Sequence, residues 1–129
     1  MVRVSTNMEY MSPISPVFYG RSDWAIENLL SQPDLKSLQW TSLQPKFFTA
    51  SYLASASNWI KAYQKSGQQE ILVMVLAADA AVAMIDPEDV GTVGQHLLAL
   101  EDTTPHKNAR YILSGPEDVT GRDLVKLVE

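Results

Sequence analysis

The chain has 129 residues, of which 46% are hydrophobic and 19% are charged, and it has no cysteine. This composition is that of a single globular domain, and the lack of cysteine excludes disulfides, thiolate metal sites and a thiol nucleophile. A net charge of −5 argues against a nucleic-acid partner. No segment has the ~20 apolar residues of a membrane helix, and residues 1–6 carry no secretory segment, so we expect a soluble, cytoplasmic protein.

Strands and helices are predicted to alternate along the chain. Strands are indicated where β-branched or alternating apolar residues cluster, at residues 2–5, 38–44, 71–76, 82–85 and 109–113. Helices are indicated where apolar residues recur every three or four positions, at residues 22–31, 48–63, 86–100 and from 120 onward. The alternation predicts an α/β domain with parallel strands.

Capping signals set the expected ends of the helices. Ser22 is expected to begin the first helix, and Gly67 to end the second. Asp86 is a good N-cap and Pro87 suits the first helical position, so the third helix is expected to begin there. Thr120 is expected to cap the last helix. The first helix is predicted to bury one apolar face, which comprises Ala25, Ile26, Leu29 and Leu30.

Four motifs occur in an order and spacing that resembles the NmrA-like family of atypical short-chain dehydrogenase/reductases. They are residues 19–30 (YGRSDWAIENLL), 40–48 (WTSLQPKFF), 84–90 (MIDPEDV) and 111–117 (YILSGPE). The family pattern has a helix, a strand ending in Arg-Pro-x-Phe-Phe, an Ile-Asp-x-x-Asp-Ile segment and a Leu-x-Gly-Pro-Glu segment. The resemblance covers nearly the whole chain but only the later half of a family member.

The resemblance implies a partial Rossmann-like fold, made of the later strands and helices of a doubly wound parallel sheet. Residues 1–129 are then expected to form one domain that begins at the equivalent of the fifth strand, as a truncated product or an independent descendant. The family binds NAD(P) through a glycine-rich turn that holds the pyrophosphate. The six glycines here are scattered, so we expect weak NAD(P) binding or none.

Candidate catalytic residues also follow from the resemblance. Ser5 and Tyr19 stand roughly where the wider superfamily has the serine and tyrosine that transfer a proton. The position of the partner lysine holds Asp23, whose negative charge would disfavour a phenolate. The alternative interpretation is that Ser5 only ends a strand and that Tyr19 is a loop aromatic.

Candidate binding residues follow the second motif. Pro45 and Phe47 are expected to contact the cofactor, because this strand end abuts the nicotinamide in the family. Phe48 and Tyr52 are expected to contact a substrate. The alternative for the adjacent phenylalanines is core packing.

No metal site is expected in this chain. A helix start already accounts for Asp86 and Asp89. His96 lies on the predicted third helix and His106 in a loop, and both are interpreted as structural or solvated.

The resemblance implies NAD(P)-linked reduction or isomerisation of a small organic substrate. A non-catalytic regulatory or protein-interaction module of the same fold is the alternative. If residues 2–5 form an edge strand without its outer neighbour, Val2, Val4, Ile71 and Val73 are expected to be exposed. We then expect a homodimer or a partner chain at this N-terminal edge, and no nucleic acid or membrane.

Overall fold

The computed structural model describes residues 1–128. Over these residues the chain alternates between strands and helices, which confirms the predicted α/β class. The elements are β1 (Val2–Val4), α1 (Phe18–Leu30), β2 (Thr41–Pro45), β3 (Phe47–Phe48), α2 (Thr49–Ser66), β4 (Val82–Ile85), α3 (Pro87–Ala99), β5 (Ala109–Leu113), β6 (Asp118–Val119) and α4 (Gly121–Val128). Contacts divide them into two units.

Unit 1 comprises Met1–Lys46 and Glu88–Leu113 and contains a three-stranded sheet in the order β1-β2-β5. Both strand pairs are parallel, with Val2 beside Thr41 and Thr41 beside Ala109. A wholly parallel sheet with intervening helices is consistent with part of a Rossmann-like fold.

The two faces of β2 carry different side chains, although the whole strand is buried. Ser42 and Gln44 lie on the face next to α1, where both bond to Glu27. Leu43 lies on the opposite face, next to α3, where a Cβ at Gly94 would be 3.7 Å from its Cδ1. The buried hydrophobic residues of the unit are Trp40, Leu43, Val90 and Leu97.

Helix α1 begins at Phe18, four residues before the predicted start at Ser22, which was wrong. Its N-cap, Val17, makes no side-chain capping bond. The first turn of α1 is instead in contact with the loop that precedes the helix. A Cβ at Gly20 would lie only 2.3 Å from the carbonyl oxygen of Tyr10, so the absence of a side chain lets the preceding loop pack directly on the first turn.

The predicted buried face of α1 was also wrong. Ile26 and Leu29 are exposed, and the residue that faces the sheet is Glu27. The reason is electrostatic, because arginines on β1 and β5 hold this carboxylate against the sheet. Ile26 and Leu29 therefore lie on a side of α1 that faces away from the sheet.

Unit 2 comprises Phe47–Pro87 and the residues from Ser114 onward. Its sheet has the order β3-β4-β6, with β3 parallel and β6 antiparallel to β4. Its core consists of Leu76, Met84 and Leu124, with Tyr52, Met74, Val82 and Val119 packed around it.

The predicted helix ends in unit 2 are confirmed. Gly67 follows α2 with a φ of 68°, and its N–H donates to the Tyr63 carbonyl at 2.8 Å. Thr120 precedes α4, and its hydroxyl accepts the N–H of Asp123 at 3.2 Å. The Asp123 carboxylate accepts the Thr120 N–H in return, at 3.1 Å, which completes a reciprocal cap.

The strand predicted at residues 71–76 does not form. Its residues still alternate, with Leu72, Met74 and Leu76 facing inward. The side chains of Ile71, Val73 and Val75 are 90, 76 and 83% exposed. Strand formation needs a neighbouring backbone, and within residues 1–128 none of these six residues makes a backbone–backbone hydrogen bond.

The exposure predicted for Ile71 and Val73 is confirmed. No helix within residues 1–128 has the length and apolar character needed to cross a bilayer.

Candidate functional site

A buried carboxylate organises the α1 side of the unit 1 sheet. Glu27 is 3% exposed. It accepts hydrogen bonds from Ser42 Oγ at 2.5 Å, from Gln44 Nε2 at 3.2 and 3.3 Å, and from Arg110 Nε at 2.6 Å. Ser42 and Gln44 are two positions apart on β2 and therefore share a face, and Arg110 is the register neighbour of Ser42 on β5.

Two arginines compensate the negative charge on this face. Arg3 of β1 places NH1 3.5 Å from Glu27 Oε1 and also bonds to Asp23, one helical turn earlier on α1. Arg110 stacks on the ring of Trp40, with 4.9 Å from Cζ to the ring centroid. Two carboxylates thus face two guanidinium groups. The ion pairs join β1 and β5 to α1, and the hydrogen bonds of Ser42 and Gln44 join β2 to it. We call Arg3, Asp23, Glu27, Ser42, Gln44 and Arg110 the polar network.

The environment of Glu27 keeps it ionised. Burial acts to raise its pKa, but hydrogen bonds from Ser42, Arg110, Gln44 and Ser5 outweigh burial, and the pKa lies below its ordinary value. An ionised, fully paired carboxylate neither donates a proton nor accepts one readily near neutral pH. The contacts of the network hold α1 against the three strands.

Ser5 lies where β1 ends, at the carboxyl edge of the parallel sheet. Its hydroxyl lies 3.7 Å from Met11 Sδ, and Gln44 Nε2 approaches the same sulfur at 3.5 Å. Lys46, directly after β2, pairs with Glu9 at 2.5 Å. These contacts tie the loop after β1 over the strand ends. Ligands of open α/β sheets bind outside the carboxyl ends of their strands, so this edge is the candidate site.

Tyr19 lies in the first turn of α1 and is about half exposed. Within residues 1–128 no hydrogen bond joins it to Ser5, and its carbonyl accepts the hydroxyl of Ser22 at 3.0 Å. Asp23, one turn later, is paired with Arg3, which compensates its charge. The predicted proton-transfer pair therefore has no direct contact, and the catalytic roles of Ser5 and Tyr19 stay predictions.

The predicted binding residues fall into both units. Pro45 is the buried last residue of β2 in unit 1, whereas Phe47, Phe48 and Tyr52 belong to unit 2. The rings of Phe47 and Tyr52 lie 5.0 Å apart at 59°. Tyr52 also packs against the core around Met84. Phe47 therefore contacts a residue that packs on the core of unit 2, which agrees with the core-packing alternative. The cofactor roles of Pro45 and Phe47 and the substrate roles of Phe48 and Tyr52 stay predictions.

The histidines and acids that the sequence offers as metal ligands do not form one group among the residues that the structure describes. His106 Nδ1 lies 2.7 Å from the Tyr111 hydroxyl. Glu88 and Asp89 lie in the first turn of α3, directly after Asp86. Over the part of the chain that the structure describes, no three histidine, aspartate or glutamate side chains are grouped to hold a metal ion.

Sequence reasoning missed the polar network. Ser42 and Gln44 interrupt a predicted strand with polar side chains, and arginines occur in two other predicted strands. Since a buried polar side chain needs partners, these four positions could have indicated a shared polar face. Glu27 gave no such signal, because a glutamate on a helix is normally solvated.

Comparison with known proteins gives one partial relationship. No family model matches the chain. The chain is 33% identical over 84 residues to a (4-alkanoyl-5-oxo-2,5-dihydrofuran-3-yl)methyl phosphate reductase of Streptomyces griseus. These residues are 65% of this chain and 26% of the reductase, so the match spans about a quarter of that relative. The chain is thus distantly similar to part of a reductase.

Proposed function

We propose that this chain is the substrate-side portion of an NAD(P)-linked reductase of the NmrA-like kind, located in the cytoplasm. Its substrate would be a small organic carbonyl compound, such as the unsaturated lactone phosphate in the name of the relative. The similarity to that reductase carries the proposal. The carboxyl edge of the β1-β2-β5 sheet, where the Ser5 hydroxyl and Gln44 of the polar network approach the same Met11 sulfur, supports it.

The starts of α1 and α3 do not fit the pyrophosphate of a dinucleotide. A phosphate cradle needs a helix N-terminus with open backbone amides and no nearby anions. At α1, the Tyr10 carbonyl already occupies the space beside Gly20. At α3, Glu88 and Asp89 fill the first turn with negative charge. We therefore derive no step through NAD(P).

Ser5 and Tyr19 are the groups of unit 1 that we assign to the substrate. The Ser5 hydroxyl would hold the substrate oxygen by a hydrogen bond, and the Tyr19 phenol would donate a proton to it. Ser5 and Gln44 of the polar network approach the same Met11 sulfur, so Ser5 lies beside the network.

Ligand-detected NMR with a small unsaturated lactone phosphate tests this assignment. We expect the wild-type chain to bind the lactone, and Ser5→Ala to weaken binding. Ser66→Ala, at the exposed end of α2, is the matched control and should change nothing. Equal binding by Ser5→Ala and wild type would remove Ser5 from the site, and no binding by any variant would contradict the substrate-side role.

The second candidate function is a non-catalytic interaction module of the same fold. The observation that favours it is the exposed apolar row of Ile71, Val73 and Val75. The acid at Asp23, where a catalytic lysine is expected, agrees with it. A chain that binds neither lactone nor dinucleotide but is retained by a specific protein would fit this function.

A further inference from the structure

Strand β1 is an edge strand with backbone groups open on one side. The carbonyl of Met1 and the N–H of Ser5 both bond to β2, at 2.9 and 2.7 Å. In a parallel ladder every second residue turns its N–H and C=O to the same neighbour. Arg3 therefore also faces β2, and Val2 and Val4 turn theirs to the open side. Within residues 1–128 no strand pairs there.

An apolar groove of about 580 Å³ flanks this edge on the α3 side. Its lining includes Val2, Val4, Leu43, Val90 and Leu98, and it contains no charged residue. Val4 and Leu98 are 56 and 68% exposed. An edge strand beside exposed apolar side chains is a template for pairing with another chain.

The α1 side of the same edge carries charge that is already paired. Arg3 points there and is held by Asp23 and Glu27. A chain that approaches the edge therefore meets an uncharged groove on one face and a neutralised ion-pair network on the other. Two copies, each with a net charge of −5, can meet at this edge without placing unpaired charges in contact.

The open groups of β1 are complementary to themselves. If two copies of β1 run antiparallel about a two-fold axis through Arg3, Val2 of each copy lies opposite Val4 of the other. The outward N–H and C=O groups of both valines then find partners across the axis. This is an isologous interface, in which the same patch serves both copies.

The area of contact favours a folded partner over a peptide. A lone extended segment would cover only the three residues of β1, far less than the ~800 Å² per partner of a stable interface. A second copy also brings α3, which is about 20 Å long and presents Leu98 beside the groove.

We propose that β1 pairs with β1 of a second copy of this chain, which joins the two three-stranded sheets and packs the α3 helices beside each other. The chain is then a homodimer whose interface consists of the β1 edge and the groove.

Two prolines on opposite edges of the sheet test the strand pairing. The N–H of Val4 faces the open side, so Val4→Pro removes a donor to the partner and leaves the bonds to β2 intact. Ile112 is the matched control. The Leu113 carbonyl accepts the N–H of Lys46, directly after β2, so the N–H of Ile112 faces the other edge. By sedimentation equilibrium we expect wild type and Ile112→Pro to be dimers. Val4→Pro should raise the dimer dissociation constant at least about tenfold.

A second pair of variants leaves the backbone unchanged. Leu98→Lys places a charge in the groove, and Leu29→Lys places one on the exposed side of α1. We expect only Leu98→Lys to weaken the dimer. A monomeric wild type at micromolar concentration, equal effects of both prolines, or dissociation by Leu29→Lys instead of Leu98→Lys would each overturn the proposal. A complex with a different protein and no dimer would overturn it as well.

Discussion

The two faces of the unit 1 sheet are stabilised in different ways, although the same three strands form both. On the α1 face, Glu27 accepts hydrogen bonds from Ser42 on β2 and from Arg110 on β5. Arg3 on β1 forms an ion pair with it at 3.5 Å. On the α3 face, Leu43 packs with apolar residues of α3. A sheet face that is covered by a helix is therefore not necessarily apolar. Paired charges between the helix and the strands can take the place of hydrophobic contacts.

The two faces are expected to lose stability for different reasons when a side chain is removed. Removal of one partner of a buried ion pair leaves the other charge unpaired, at a cost of about 3–5 kcal/mol. Removal of a buried leucine side chain costs about 2–5 kcal/mol and leaves a cavity. Only the polar face also responds to pH.

The largest effect is expected from Glu27→Ala. It leaves Arg3 and Arg110 without their shared carboxylate, and Arg3 NH1 is buried. We expect the free energy of unfolding to fall by about 3–5 kcal/mol in a denaturant titration. Glu101→Ala, at an exposed acid of the same unit, is the control and should change it by less than about 0.5 kcal/mol. Equal losses in both variants would show that the polar network contributes nothing specific.

On the other face, Leu43→Ala should lower the free energy of unfolding by about 3 kcal/mol, because Leu43 is fully buried. The matched control is Leu29→Ala, since Leu29 is exposed on α1. The two variants are compared by thermal and denaturant unfolding. A loss below about 1 kcal/mol for Leu43→Ala would mean that the α3 face is loosely packed.

The stability that the α1 face contributes is expected to depend on pH, and the stability that the α3 face contributes is not. The pKa of Glu27 lies below its ordinary value of 4.5 in the folded chain. Its stabilisation is therefore complete above about pH 4.5 and is lost as the pH falls through the folded-state pKa. We expect the stability difference between wild type and Glu27→Gln to shrink as the pH falls below 4.5. The difference between wild type and Leu43→Ala should stay constant, and a constant difference for Glu27→Gln would contradict the assignment.

The smallest effect is expected from Arg110→Lys. Lysine keeps the charge but loses the Nε bond to Glu27 and the planar stacking on Trp40. We expect a loss of about 1 kcal/mol, compared with no measurable loss for Arg122→Lys, because the Arg122 side chain on α4 is exposed. Full stability of Arg110→Lys would show that charge alone holds the carboxylate.

Local signals predicted the elements that depend on local chemistry. The strand at residues 109–113 has its predicted bounds, and the ends of helices at Gly67 and Thr120 follow from αL geometry and a side-chain cap. The strand at residues 71–76 failed because its period-2 pattern has no partner backbone, which is a tertiary property.

The candidate site was less accessible to sequence reasoning for the same reason. Glu27 meets Ser42 and Arg110 across 15 and 83 residues of chain. No local pattern marks such a contact, so α1 was predicted to bury its apolar stripe. Ser5 was selected from the resemblance, and it lies at the carboxyl end of β1 with its hydroxyl near Met11 Sδ.

The proposed function rests on the claim that this chain supplies the substrate side of a reductase and lacks a dinucleotide site of its own. Calorimetric titration of the purified chain with NADPH and NADH tests that claim most directly. The account predicts no saturable binding of either dinucleotide up to about 1 mM, because Gly20 is closed by the Tyr10 carbonyl and α3 begins with acids. A micromolar dissociation constant for NADPH or NADH would contradict it.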